Sequence, residues 1–105
     1  MESMKAYRVY YLNDAGEKVY FCESPGYWGH HCADPTYAVP YLEIEKAQAS
    51  AELDEKYVCP SGVQRHVEEY DETRPLVRYK FDGRHVRLAE FMRYFTDRPC
   101  YEAVI

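Results

Sequence analysis

The chain has 105 residues, of which 47% are hydrophobic and 30% are charged, and its formal net charge is −5. This length predicts a single domain over residues 1–105, and the hydrophobic fraction argues against a disordered chain. Residues 1–73 contain fourteen acidic and six basic residues, whereas residues 74–105 contain four acidic and seven basic residues. A chain that is acidic overall is a poor general binder of nucleic-acid phosphates.

The first predicted element is a β-hairpin over residues 6–22. Polarity alternates on both sides of residues 13–16, NDAG, a stretch rich in turn formers. The next segment, FCESPGYWGHHC at residues 21–32, is predicted to be a loop that continues to Pro40. The reason is that its prolines disfavour helix and its glycines permit turns.

Residues 41–57 predict a helix. Alanine is the strongest helix former, and three alanines lie between residues 47 and 51. Ile44, Ala47, Ala51 and Asp54 follow one helical line, which predicts the buried face.

The C-terminal third is expected to add strands and a second helix. Residues 57–72 are ambiguous, since Val63, Val67 and Tyr70 fit a helix while Val63, Arg65 and Val67 fit a strand, and the strand is favoured. Residues 77–88 predict a hairpin closed by a two-residue Asp82-Gly83 turn, with Phe81 turned inward. Residues 88–95 carry apolar residues at helical spacing, and residues 100–105 suit an edge strand. The chain therefore predicts an α+β domain, with an antiparallel sheet of about four to six strands and two helices on one face.

The 21–32 segment brings metal-binding residue types together. A tetrahedral zinc site could use Cys22, His30 or His31, Cys32 and Cys59. Nine residues separate Cys22 from Cys32, so the short knuckle of structural zinc sites is missing. We therefore expect no structural metal and no cofactor, and we expect Trp28 to pack against the N-terminal hairpin. Cys32 as a nucleophile paired with a histidine is a further alternative, although no catalytic signature supports it.

The cysteines also bear on the cellular compartment. The first twelve residues contain no apolar stretch long enough for a signal peptide or a membrane helix, so we expect a cytoplasmic protein. All four cysteines, including Cys59 and Cys100, would there be reduced thiols. The irregular spacing and the lack of a CxxC motif do not favour a disulfide framework.

Two charged surfaces are candidates for recognition. Arg78, Lys80 and Arg87 are predicted to share one exposed face of the second hairpin, which suits phosphate binding. The helix and the following strand are predicted to form an acidic strip that can occupy a basic groove of another protein. Its predicted residues are Glu43, Glu45, Glu52, Glu68, Glu69 and Asp71.

The predicted function is that of a small non-enzymatic binding or regulatory domain with a protein partner. It would act as an accessory factor or as an acidic inhibitor of the kind that phages and mobile elements encode. Tyr27, Trp28 and His30 are added to the charged surfaces as contact residues, because aromatic residues often anchor interfaces. The alternative is a small module that binds zinc or nucleic acid through the 22–32 segment or the basic hairpin.

Overall fold

The computed structural model describes residues 3–24, 27–80, 83–89 and 101–104, and of residues 23, 24, 27–30 and 103 it describes the backbone only. The described elements are seven strands, one α-helix and a short 3₁₀ helix at Pro35–Tyr37. In chain order they are β1 (Met4–Leu12), β2 (Lys18–Ser24), β3 (Tyr27–Cys32), α1 (Ile44–Tyr57), β4 (His66–Glu72), β5 (Leu76–Tyr79), β6 (His85–Arg87) and β7 (Tyr101–Ala103).

The first sheet has four antiparallel strands in the order β3-β2-β1-β4. Strands β1 and β2 form the predicted N-terminal hairpin. The Asn13 side chain closes its turn by accepting hydrogen bonds from the backbone N–H groups of Ala15 at 3.0 Å and Glu17 at 2.9 Å. Gly16 has a φ of 79°, a conformation that glycine adopts without steric cost. The turn residues and the alternating polarity were therefore sufficient to predict this hairpin.

The prediction of a loop over residues 21–32 is wrong. Strand β2 continues to Ser24, and strand β3 returns from Tyr27 to Cys32, pairing antiparallel with β2. Pro25 and the two glycines of this segment suggested a loop. Pro25 and Gly26 lie outside the described residues, and Gly29 is accommodated within β3.

Helix α1 covers one face of this sheet, as predicted. Ala47 and Ala51 are buried against Val9 and Phe21. Asp54, the last residue of the predicted line, is also buried, whereas Ile44 at the helix start is 39% exposed. Small alanine side chains allow the helix backbone to lie close to the sheet. In the described part of the chain, no helix is long and apolar enough to cross a membrane.

The C-terminal strands form a second sheet instead of extending the first. Its order is β6-β5-β7, and the predicted C-terminal edge strand is therefore β7. Val77 pairs with Val86 as part of the predicted hairpin, and both are buried. The Tyr79 N–H donates to the Arg84 carbonyl oxygen at 2.8 Å. The predicted two-residue turn includes Asp82, which lies outside the described residues.

The prediction of two helices is not matched, since α1 is the one α-helix among the described elements. Of the second predicted helix, residues 88–95, only Leu88 and Ala89 lie within the described ranges. The predicted inward position of Phe81 also lies outside the described residues.

Candidate functional site

A groove with a volume of about 660 Å³ runs beside helix α1, and we call it the α1 groove. Its lining is Phe21, Tyr41, Lys46, Ala49, Ser50, Leu53, Asp54, Tyr57, Val58 and Cys59. The first sheet supplies Phe21, the segment before the helix supplies Tyr41, and the remaining residues belong to α1 or follow it directly. The helix thus presents one face to the sheet and an adjacent face to the groove.

The outer wall of the α1 groove is apolar and open to solvent. Leu53 is 60% exposed and Tyr57 is 69% exposed, and they lie one helical turn apart. Ala49 precedes Leu53 by one turn and extends the same stripe. Large apolar side chains exposed side by side at a groove are typical of a contact surface.

A hydrogen bond at the groove joins its two sides. The Tyr41 hydroxyl and the Ser50 hydroxyl are 2.5 Å apart, and either can donate. Burial raises the pKa of Tyr41 to about 12, against a smaller lowering effect of the Ser50 hydrogen bond. Tyr41 therefore keeps its proton at neutral pH and offers a neutral hydroxyl.

Asp54 forms the polar end of the α1 groove. Its carboxylate accepts a hydrogen bond from Arg65 Nε at 2.6 Å and lies 2.9 Å from His31 Nε2. Burial alone would raise the pKa of Asp54, but its hydrogen bonds with His31 and Arg65 and the nearby Arg65 charge outweigh this effect, so the pKa is lowered. Because an ionised carboxylate only accepts hydrogen bonds, Nε2 of His31 carries a proton.

Aromatic rings surround this ion cluster. The Tyr11 ring meets His31 edge-on at 5.4 Å between centroids, and the Arg65 guanidinium lies 4.7 Å from the Tyr11 ring centroid. Phe21 is 6.0 Å from His31 on its other side. These contacts pack His31 and Arg65 at one end of the groove.

The unburied charges of helix α1 and its N-terminal cap are mainly acidic, but Lys46 lines the α1 groove, whereas the glutamates are not among its lining residues. Among the described residues of α1 and its N-terminal cap, the charged side chains that are not buried comprise four glutamates and two lysines. They are Glu43, Glu45, Glu52, Glu55, Lys46 and Lys56. Three of the predicted contact residues, Glu43, Glu45 and Glu52, are exposed on this helix as expected.

Of the three acidic residues predicted on β4, Glu68 does not share a face of the sheet with the helix. Successive side chains of a strand point to opposite faces. Glu68 therefore lies on the face away from α1, where it binds Arg8 at 2.8 Å and Lys18 at 2.9 Å. Glu69 and Asp71 are exposed on the other face, and Glu69 is 3.7 Å from Lys5.

The predicted basic face of the second hairpin is also broken up. Arg87 is 3% exposed and binds Glu72, so its predicted place on a binding surface is wrong. The reason is that the face of β6 carrying Arg87 packs against the first sheet, where Glu72 ends β4. Arg78 is exposed and lies 3.2 Å from Glu102, and Lys80 is exposed.

The predicted zinc ligands lie on different sides of the first sheet. Cys22 packs with Tyr20 on the face away from α1, and Cys32 packs against the same cluster. Cys59 lines the α1 groove on the helix side. His30 belongs to β3, together with Tyr27 and Trp28. The side chains of these three residues are not described, so the predicted burial of Trp28 lies outside the described structure. Within the described ranges, no group of three or more metal-ligating side chains is present.

The geometry does not support pairing of Cys32 with a described histidine. His31 follows β-strand alternation to the opposite face and is bound to Asp54. His66 lies on β4, at the far edge of the sheet from Cys32 on β3. Three strand spacings separate those edges, a distance of about 14 Å.

Sequence reasoning missed most of the residues that form the α1 groove. Leu53 and Tyr57 are large apolar residues that lie outside the predicted buried line of the helix. Their position was the one feature of the sequence that indicated a second apolar surface on this helix. Nothing in the local pattern indicated that Tyr41 and Ser50 would meet, or that Arg65 would bind Asp54.

The buried carboxylates predict a loss of stability in acid. Burial tends to raise the pKa of Glu72, but hydrogen bonds from Arg87 and Tyr70 outweigh it and lower the pKa, as for Asp54. A lowered folded-state pKa stabilises the protein above the unfolded-state value of about 4, and this contribution is lost as the pH falls through the folded-state pKa. We expect the free energy of unfolding, measured with urea, to fall from pH 5 downward. Glu72→Gln should be less stable at pH 7 but should lose less on acidification, and an unchanged pH dependence would contradict this.

Comparison of the chain with protein-family models, with curated proteins and with solved structures finds no match.

Proposed function

We propose that the protein is a small binding domain that takes a segment of a partner protein into the α1 groove. The partner segment presents apolar side chains to Leu53 and Tyr57 and carries basic residues beside them. One observation carries the proposal: these two large side chains are 60% and 69% exposed along a groove of about 660 Å³. A regulatory role without catalysis, as an inhibitor or accessory factor in the cytoplasm, is part of the proposal.

The apolar part of the partner is argued from the exposed surface. Transfer of a large apolar side chain from water into a packed interface contributes about 1.5–3 kcal/mol. Leu53 and Tyr57 project from a helix whose other side is fixed to the sheet through Ala47 and Ala51. Binding therefore requires little ordering of the backbone, which favours affinity.

The basic part of the partner is argued from charge. The helix and its cap carry four unburied glutamates and two lysines, a net charge of −2, and one of these lysines, Lys46, lines the groove. Opposite charge on the partner accelerates association and selects among partners with similar apolar residues. Glu43, Glu45 and Glu52, the acidic residues predicted as contacts on α1, belong to this set.

The alternative functions have less support. A nucleic-acid-binding surface on the second hairpin could not use Arg87, because this residue is buried and bound to Glu72. A zinc site that combines Cys22 with Cys59 would need ligands from both faces of a sheet.

The direct test is selection of random peptides displayed on phage against the immobilised full-length chain. We expect the enriched peptides to combine leucine or aromatic residues with lysine or arginine. Leu53→Glu should weaken binding of a synthetic enriched peptide at least about tenfold, which corresponds to 1.4 kcal/mol. Raising the salt concentration should also weaken peptide binding, because salt screens the charges of α1 and of the peptide.

Val63→Glu is the matched control. Val63 is also an exposed apolar residue, at 37%, but it does not line the α1 groove. Peptides that bind Val63→Glu and Leu53→Glu equally well, or a consensus dominated by acidic residues, would overturn the proposal.

A further inference from the structure

Cys22 and Cys32 lie side by side, although nine residues separate them in the sequence. Their Sγ atoms are 2.7 Å apart. The pairing of β2 with β3 produces this arrangement, because Tyr20 lies opposite Cys32 and Cys22 lies opposite His30. Cys22 and Cys32 are therefore diagonal neighbours on one face of the hairpin, where side chains on adjacent strands come within reach.

The surrounding structure keeps both thiols in this position. Cys22 is 5% exposed and packs in a cluster with Tyr20 and Ala38. The sulfur of Cys22 is 3.4 Å from the Tyr20 carbonyl oxygen, and that of Cys32 is 3.4 Å from the Asp34 carbonyl oxygen. The two sulfurs of a disulfide are about 2.05 Å apart, so the Sγ atoms, now 2.7 Å apart, must approach each other by about 0.65 Å.

The two cysteines differ in access to solvent. Cys22 is buried, whereas Cys32 is partly exposed near the end of an edge strand. A soluble oxidant therefore meets Cys32 first, and Cys22 is the neighbour that can complete the reaction. An accessible thiol beside a second, resolving thiol is the arrangement found in redox-sensitive cysteine pairs.

We infer that Cys22 and Cys32 are a thiol-oxidation site whose co-substrate is a low-molecular-weight disulfide such as oxidised glutathione. The Cys32 thiolate attacks one sulfur of glutathione disulfide, forms a mixed disulfide and releases one glutathione thiolate. The Cys22 thiolate then attacks the Cys32 sulfur, forms the Cys22–Cys32 bond and releases the second glutathione. The cysteine pair loses two electrons, glutathione disulfide gains them, and the two thiol protons pass to the released glutathiones.

The oxidised site links β2 to β3 covalently and closes a loop of eleven residues. Such a cross-link stabilises a protein mainly by restricting its unfolded chain. We expect the melting temperature of the full-length protein to rise by about 10 °C after oxidation. The reducing agent dithiothreitol should reverse this rise.

The test exposes the folded, reduced protein to oxidised glutathione. We expect a mass lower by two hydrogen atoms and the loss of two titratable thiols. Cleavage after Glu23 separates the two cysteines onto different peptides, and the linked peptides should be joined through Cys22 and Cys32. Linkage of Cys59 or Cys100 in their place, or no linkage in the folded protein, would overturn the inference.

Single variants distinguish the two roles. Cys22→Ser should stop at the first step and retain one glutathione on Cys32. Cys32→Ser should react slowly, since the remaining sulfur of Cys22 is buried. Cys59→Ser is the control and should form the cross-link at the wild-type rate. A Cys22→Ser variant that folds but gains no glutathione would show that Cys32 is not the entry point and would overturn the inference.

Discussion

Replacing Arg87 with methionine is expected to destabilise the protein by about 3–5 kcal/mol, since removal of one member of a buried ion pair leaves its partner charged and unpaired. Arg87 donates to both carboxylate oxygens of Glu72, at 2.8 and 3.3 Å, and to the Ala38 carbonyl oxygen at 2.7 Å. Glu72 ends β4 of the first sheet, and Arg87 ends β6 of the second. The pair therefore connects the two sheets.

Urea unfolding at pH 7 measures this effect. Arg78→Met is the matched control, because Arg78 forms an exposed ion pair with Glu102 and should cost no more than about 1 kcal/mol. The double variant Glu72→Leu with Arg87→Met should recover part of the lost stability, since neither charge then remains buried. Equal effects of Arg87→Met and Arg78→Met would show that the buried pair has no special role.

Replacing Arg65 with methionine is expected to cost a similar amount, about 3–5 kcal/mol. The Arg65 side chain is 1% exposed and binds the Asp54 carboxylate at 2.6 Å. It also donates to four backbone carbonyl oxygens that follow or end helix α1, at distances of 2.7–3.4 Å. These carbonyls belong to Asp54, Val58, Pro60 and Val63. Methionine would leave the buried carboxylate and several carbonyl groups with fewer donors.

Thermal unfolding followed by circular dichroism would measure the loss. Lys56→Met is the control, because Lys56 is an exposed cation in the last turn of the same helix. Arg65→Lys should lie between the control and Arg65→Met, since lysine keeps the charge but cannot reach several carbonyl groups at once. A melting temperature of Arg65→Met within the range of the Lys56 control would contradict the assignment.

Local sequence patterns were sufficient for the first hairpin and for helix α1. In both, the period of polarity and the turn or helix-forming residues lie within one continuous stretch. Strand β3 was missed because Gly29 within it and Pro25 and Gly26 just before it in the sequence are typical of a loop, and pairing with β2 determines its conformation. The split into two sheets was missed for a similar reason, since alternation in β5 and β6 predicts a hairpin but not the sheet it joins.

The candidate site was less accessible to sequence reasoning than the fold. Arg87 alternates like a surface residue of a strand, and its burial depends on Glu72, fifteen residues away. The α1 groove requires Phe21, Tyr41 and Leu53 to meet, and these belong to three separate segments. A helix with apolar residues outside its buried line indicates a second contact surface. The sequence does not predict which residues from other segments, such as Phe21 and Tyr41, complete the groove.

The position of β1 between β2 and β4 has a consequence for the order of folding. The hairpin with β2 is local, whereas the pairing of Met4 with Glu72 joins residues far apart in the chain. During synthesis, β4 must leave the ribosome before it can pair with β1. Pairings between distant residues form slowly, because the intervening chain loses entropy before contacts compensate. The local hairpins and α1 can form during synthesis, and docking of β4 then completes the sheet.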